Sequence, residues 1–284
     1  RLATRALQDP FALPPMAAPA AKRARVDGPG AGTFAPFASE EALCVSPLKS
    51  AKLNFDAPPG KKIVVLVSCG SFSPPTVFHL RMLEDARDGL EAQGYHVAGG
   101  FLSPVHTAYG KNSLVAMHHR VNMVGLALQD SEWLDVDPWE CAQKDYTLTA
   151  LCLQQRFQAE VEKLCASARV MMVCGGDLLE SFTAFNADGT PVWSQEHQEI
   201  ILGKCGVACM AREGTDLDKV IAADKTLETH KSNIAIFTPS VQNNVSSTLV
   251  RKLIKGKLSI KYLVHEEVRA YIMANNLAAA SQWQ

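Results

Sequence analysis

The sequence predicts an α/β protein, a doubly wound parallel sheet with a small helical part at the C-terminus. Two observations predict it. Residues 63–69 read Ile-Val-Val-Leu-Val-Ser-Cys, a continuous apolar run of strand length. That is the pattern of a parallel strand covered on both faces. From there on, strand-like and helix-like segments alternate, which implies parallel crossovers and ligands at the carboxyl ends of the strands.

In order, a helix is expected over 77–92, after Pro74 and Pro75, and a second strand over 95–102. Ser113 is a candidate cap for a helix reaching Leu128, with Val115, His119, Met123 and Leu126 at helical spacing. A short strand is expected at 133–136, a helix at 147–165 and a strand at 169–174. A helix opens at Asp177 and runs to Phe182; strands follow at 207–210 and 233–237. Helices at 247–254 and 266–274 close the chain.

The first sixty residues differ. They hold nine of the fifteen prolines and fourteen alanines, with no sustained period. Such a segment buries too little apolar area to offset its chain entropy, so residues 1–60 are expected to be a disordered tail and 61–284 the folded domain. Within the tail, Lys22, Arg23 and Arg25 follow Pro19 and resemble a nuclear import signal for an acidic receptor groove. A nuclear location is the expectation, with a cytoplasmic or organellar one as the alternative. Met16 is a candidate start, and a transit-peptide reading of residues 1–25 fails if translation begins there.

Composition excludes several classes. With 28 Lys+Arg against 29 Asp+Glu, the net charge is −1, which argues against nucleic acid as a partner. No run of about 18 apolar residues suggests a membrane partner. The eight cysteines contain no CxxC pair, so reduced, mostly buried thiols are expected and no metal site. Oligomeric state is not legible, and a homo-oligomer is left open.

The most informative residues follow the first strand: Gly70-Ser-Phe-Ser-Pro-Pro-Thr-Val-Phe-His79-Leu-Arg81. Gly70 permits a tight turn where backbone approaches a phosphate. His79 falls one turn into the next helix, whose first N–H groups favour an anion. Neither GxGxxG nor GxxxxGK[ST] is present. A second segment, Ser246-Ser247-Thr248-Leu-Val-Arg251, starts a late helix. Ser246 or Ser247 can cap it, and Arg251 lies four residues beyond Ser247 on the same face, able to address the same phosphates.

Together these segments resemble the nucleotidylyltransferase superfamily, a Rossmann-like fold, and most closely its eukaryotic nicotinamide/nicotinate mononucleotide adenylyltransferases. Gly175-Gly-Asp177-Leu-Leu-Glu-Ser181-Phe182 resembles that family's segment between the two motifs, and the likeness spans residues 61–277. Ser73 departs from it, standing where asparagine is usual. The resemblance implies ATP and nicotinamide or nicotinic acid mononucleotide as substrates, with Mg²⁺ on the ATP phosphates. The products are NAD, or its deamido form, and pyrophosphate.

It also implies roles. His79 and Arg251 are the catalytic candidates, with His79 on the α-phosphate. Gly70, Ser71, Phe72, Thr76, Gly175, Asp177, Ser246, Ser247 and Thr248 join them in binding ATP. Ser71, Phe72, Lys111, Tyr146, Thr149 and Trp193 would hold the mononucleotide, Trp193 and Tyr146 by stacking on the pyridine ring. For Lys111 the alternative is a solvated loop lysine, and for Asp177 a helix N-cap. Trp193 follows a long insert, residues 183–191, and Trp139 is a rival for packing. Two other functions compete: a sister transferase with another phosphate acceptor, and a non-catalytic, chaperone-like protein on the same fold.

Overall fold

A computed structural model of the chain describes residues 34–44, 46–211, 216–241, 244–280 and 283. Lys22, Arg23 and Arg25 lie outside the described residues. Six strands form one parallel sheet: β1 (Lys62–Gly70), β2 (Tyr95–Pro104), β3 (Leu134–Val136), β4 (Arg169–Gly175), β5 (Val207–Met210) and β6 (Ile234–Phe237). Their order is β3-β2-β1-β4-β5-β6. The direction of winding therefore reverses between β1 and β4, and a crevice opens there at the carboxyl ends.

The helices are α1 (Val77–Ala92), α2 (Met117–Ala127), α3 (Thr149–Leu151), α4 (Ala159–Leu164), α5 (Gly176–Glu180), α6 (Gln195–Gln198), α7 (Leu217–Ala223), α8 (Lys225–Thr229), α9 (Ser247–Lys255) and α10 (Glu266–Ala274). A π-helical stretch, Cys152–Gln158, joins α3 to α4, so the single helix expected over 147–165 is interrupted. A second one, Glu199–Lys204, extends α6. The sequence reading missed that helix, along with α7 and α8, because the segments are too short to show a helical period.

Alternate residues of β1 enter two cores. Val65 and Val67 pack with Phe101, Phe157, Val170 and Met172 on one face, while Val64 and Leu66 pack with Leu83, Val121, Met171 and Val173 on the other. A third cluster joins Val250, Ile254, Val268 and Ile272 to Met123 of α2. This is the small C-terminal helical part, seated beside the loop that follows β1.

The expected disorder does not hold for residues 34–60, which pack on the domain through specific polar anchors. The Asn122 side chain accepts from the Phe37 N–H and donates to its carbonyl, both at 2.8 Å. Glu40 Oε1 accepts the first N–H of α2 at 2.6 Å, a carboxylate at a helix start. Phe34 lies against Gly125, where a Cβ would come 2.3 Å from its ring. Leu43 and Leu48 are buried. Isolated anchors of this kind leave no period in the sequence, so composition alone misplaced the boundary.

Candidate active site

The loop after β1 is built around a glycine and a strained aromatic. Phe72 is buried with φ +44°, a left-handed conformation unusual for a bulky residue. Its ring folds back over Gly70, where a Cβ would stand 3.1 Å from Phe72 Cζ. A side chain at Gly70 would press on this ring, whereas the left-handed backbone falls on Phe72. The far side of the ring meets His79 edge to face at 5.3 Å.

His79 is held from below. Its Nδ1 accepts the Thr76 N–H at 3.0 Å and lies 2.8 Å from Thr76 Oγ1. A nitrogen that accepts a backbone N–H carries the lone pair, so the ring proton sits on Nε2. Desolvation of the half-buried imidazole lowers its pKa to about 4. His79 is therefore a neutral N–H donor at physiological pH. Thr76 is 1% exposed, so its hydroxyl faces the histidine and not the ligand space expected for it.

Loop and late helix are tied together. Ser246 Oγ caps α9 by accepting the Leu249 N–H at 3.2 Å. Ser247 Oγ donates to the Pro74 carbonyl at 2.8 Å, and Arg251 donates to the Ser73 carbonyl at 2.8 Å and to Thr248 Oγ1 at 3.1 Å. Ser73 itself is fully buried. Its hydroxyl donates to the Ser113 carbonyl at 3.2 Å and accepts from the Val115 N–H and the Trp283 indole at 3.4 and 3.2 Å. Through these bonds Ser73 ties the loop to the segment before α2 and to Trp283. Beneath it, the buried Arg120 donates to the Ser71 carbonyl at 3.2 Å.

Two cavities open at this strand end and share Cys69, Gly70 and Leu178. The first, about 370 Å³, is lined by Phe72, His79, Gly175 and Ser246. The second, about 360 Å³, is lined by Ser71, Lys111, Tyr146, Thr149 and Trp193. Each is of a size for one small ligand, and the two adjoin at Cys69, Gly70 and Leu178. The structure thus gathers five of the six residues assigned to the mononucleotide into the second cavity. Phe72, the sixth, lines the first. Ser247, Thr248, Arg251 and Asp177 lie outside both linings, although Gly175 and Leu178 beside Asp177 are part of them.

The lining of the second cavity is rich in aromatic rings, with Tyr109, Tyr146 and Trp193. Trp193 Nε1 donates to Ser181 Oγ at 2.9 Å, and its ring lies 4.9 Å from Phe182. The long insert closes on itself, with Val192 N–H to the Ala184 carbonyl at 2.9 Å and a bridge between Phe185 and Pro191. Trp193 therefore returns beside the segment it left, which explains why an insert of this length does not displace it. Tyr146 stacks at a tilt on Tyr109, 5.4 Å between centroids, and the ammonium of Lys111 lies 5.4 Å from the Tyr109 ring. Burial raises the Tyr146 phenol to about 12, so it stays protonated. Trp139 lies outside both cavities and packs against the core. Tyr109, His197 and Leu178 were missed in sequence; only Leu178 had a signal, its place in the Gly175–Phe182 segment.

A parallel sheet in 3-2-1-4-5-6 order with paired cavities at its switch point defines a nucleotide-binding α/β protein. A family model described as cytidylyltransferase-like matches residues 67–253. The nicotinamide/nicotinic acid mononucleotide adenylyltransferase of Arabidopsis thaliana is 40% identical over 236 residues, 81% of this chain and 97% of the relative. That of Oryza sativa subsp. japonica is 42% identical over 240 residues, covering 81% and 93%. The Bos taurus relative, nicotinamide/nicotinic acid mononucleotide adenylyltransferase 1, is 34% identical, covering 76% and 89%. The chain belongs to this adenylyltransferase family within the cytidylyltransferase-like proteins. The solved structure of Plasmodium falciparum nicotinic acid mononucleotide adenylyltransferase complexed with NaAD matches with a TM-score of 0.54 at 16% identity, over 76% of this chain and 97% of that one, and shares the fold.

Proposed function

We infer that the protein transfers the adenylyl group of ATP to nicotinamide mononucleotide or nicotinic acid mononucleotide, forming NAD or its deamido form. The observation that carries this is the pair of cavities meeting at Cys69 and Gly70, one beside His79 and one walled by Trp193 and Tyr146. A phosphate oxygen of the mononucleotide attacks the α-phosphorus in line, the bond to the β-phosphate oxygen breaks, and pyrophosphate leaves. Both reactants are nucleotides held in place, so the chemistry needs position and charge stabilisation and no enzyme nucleophile.

His79 donates Nε2–H to the α-phosphate as charge develops there. The Ser246 end of α9 offers backbone N–H groups to the outer phosphates, and Arg251 clamps both the loop and those phosphates. Gly175 and Asp177 accompany the adenosine end. Lys111 balances the mononucleotide phosphate, and Thr149 addresses the carboxamide. Mg²⁺ arriving on the ATP phosphates would neutralise their charge as pyrophosphate leaves; the described residues lining the first cavity offer the Ser246 hydroxyl and backbone groups beside it, and no carboxylate.

The test is pyrophosphate release with ATP and a panel of acceptors. Release is expected with either pyridine mononucleotide; release only with phosphopantetheine or choline phosphate would point to the sister transferase, and none at all to a binding protein.

For Arg251, a lysine cannot reproduce bonds to Ser73 and Thr248 while also reaching phosphate. Arg251→Lys is therefore expected to raise KM for ATP several-fold and to move the mononucleotide KM much less. An equal rise in both constants would reduce Arg251 to a fastener of the fold.

A nuclear location is proposed on the sequence of Lys22, Arg23 and Arg25 alone. Fusing residues 16–30 to a passive cytosolic reporter should concentrate it in nuclei, and replacing the three cations with alanine should abolish this. An evenly spread or organellar reporter removes the proposal.

A further inference from the structure

Below the shared wall of the two cavities lies a group of side chains the transfer reaction does not use. Cys69 is the penultimate residue of β1 and lines both cavities. Glu140 comes from the loop after β3 and Cys152 opens the π-helical stretch after α3. One ligand atom from each, Sγ, a carboxylate oxygen and Sγ, lies within 4.8 Å of the other two. Glu140 and Cys152 are both 0% exposed. Glu140 Oε2 accepts from Ser103 Oγ at 3.2 Å, whereas Oε1 is buried without a hydrogen-bond partner.

A fully buried carboxyl oxygen without a partner is costly, and two thiols beside it make a mixed sulfur and oxygen set. Such a set suits a borderline-soft divalent cation, for which ligand atoms about 3.5–4 Å apart surround a tetrahedral ion. Magnesium, which wants six oxygens in octahedral array, fits it poorly. We propose that Cys69, Glu140 and Cys152 form a three-ligand site for Zn²⁺ or a similar thiophilic cation, entered from the cavity beside Cys69. On binding, both thiols and the Glu140 carboxyl group release their protons to solvent, and they coordinate as two thiolates and a carboxylate. Ser103 holds the free carboxylate oxygen and so aims the other one, the usual task of a residue behind a metal ligand. The fourth position faces the cavity. Sequence spacing gives no hint of the site because its ligands come from three separate segments.

The test uses the full chain carrying Cys44→Ser and Cys165→Ser, which removes the exposed and the half-buried thiol that would collect metal adventitiously. Cd²⁺ alone is titrated and the ultraviolet thiolate-to-cadmium absorption followed, with Zn²⁺ and then Mg²⁺ added as competitors. One saturating equivalent is expected, displaced by Zn²⁺ and not by Mg²⁺. Cys152→Ser should halve the absorption per bound ion, and Glu140→Gln should weaken binding about 10-fold or more while keeping the fold and both thiols. If Cys152→Ser does not fold, Glu140→Gln decides alone. Titration without saturation, or equal affinity in wild type and Glu140→Gln, overturns the site. None of these readings depends on the transferase activity.

Discussion

Replacing His79 by alanine is expected to lower kcat about 10²- to 10³-fold with little change in KM, the usual cost of losing one donor aimed at developing charge. The neutral ring makes a further demand. Because burial lowers its pKa to about 4, the Nε2–H donor persists through the neutral range. The kcat/KM profile of the free enzyme should then show no His79 inflection between about pH 5.5 and 8. The sign for stability runs the other way from a salt-bridged histidine. The unfolded chain takes up a proton near pH 6.5 and the folded one only near 4, so the stability tied to neutral His79 is present above 6.5 and lost as pH falls towards 4. Thr76→Val, which keeps the backbone N–H bond but removes Oγ1, should give a smaller loss of kcat. A folded His79→Ala enzyme with near-wild-type kcat would remove the histidine from the mechanism.

Trp193→Ala is expected to raise KM for the mononucleotide about 5- to 150-fold. Stacking of a ring on an aromatic is worth about 1–3 kcal/mol by alanine substitution, at about 1.4 kcal/mol per tenfold. KM for ATP should hardly move, and kcat should fall less than for His79→Ala, since the pyridine ring is remote from the reacting phosphate. Trp193→Phe should recover much of the loss. The bond from Trp193 Nε1 to Ser181 Oγ adds a check: Ser181→Ala should give a smaller rise in the same constant by releasing the ring from its set angle. If Trp193 served the core alone, the alanine variant would melt lower with both KM values unchanged. The pyridine wall would then fall to Tyr146.

Much of this was legible in sequence for a physical reason. The run at 63–69 is apolar because β1 lies between two cores, and α1 and α10 start and stop at the expected residues. The residues assigned to the mononucleotide are scattered from Ser71 to Trp193, yet Lys111, Tyr146, Thr149 and Trp193 meet in one cavity, because each belongs to a connection that leaves the carboxyl end of β2, β3 or β4. What sequence could not supply was direction. Thr76 belongs to the phosphate motif by spacing, but its hydroxyl points at His79. Gly70 reads as a turn residue, while the left-handed backbone falls on Phe72, whose ring lies against that glycine. The segment 34–60 looked structureless because Glu40 and the residues clamped by Asn122 act singly, without a period.

The account rests on direct transfer between two ligands lying end to end across Gly70, and one reaction tests it. ATP carrying sulfur on the α-phosphorus in one configuration is incubated with nicotinamide mononucleotide, and the product's mass and phosphorus configuration are read together. The expected product is the thio-substituted dinucleotide, one per pyrophosphate, with inverted configuration at the transferred phosphorus. Retention would require an adenylylated enzyme between two displacements, and pyrophosphate without dinucleotide would mean that the second cavity does not hold the acceptor. Either result contradicts the mechanism.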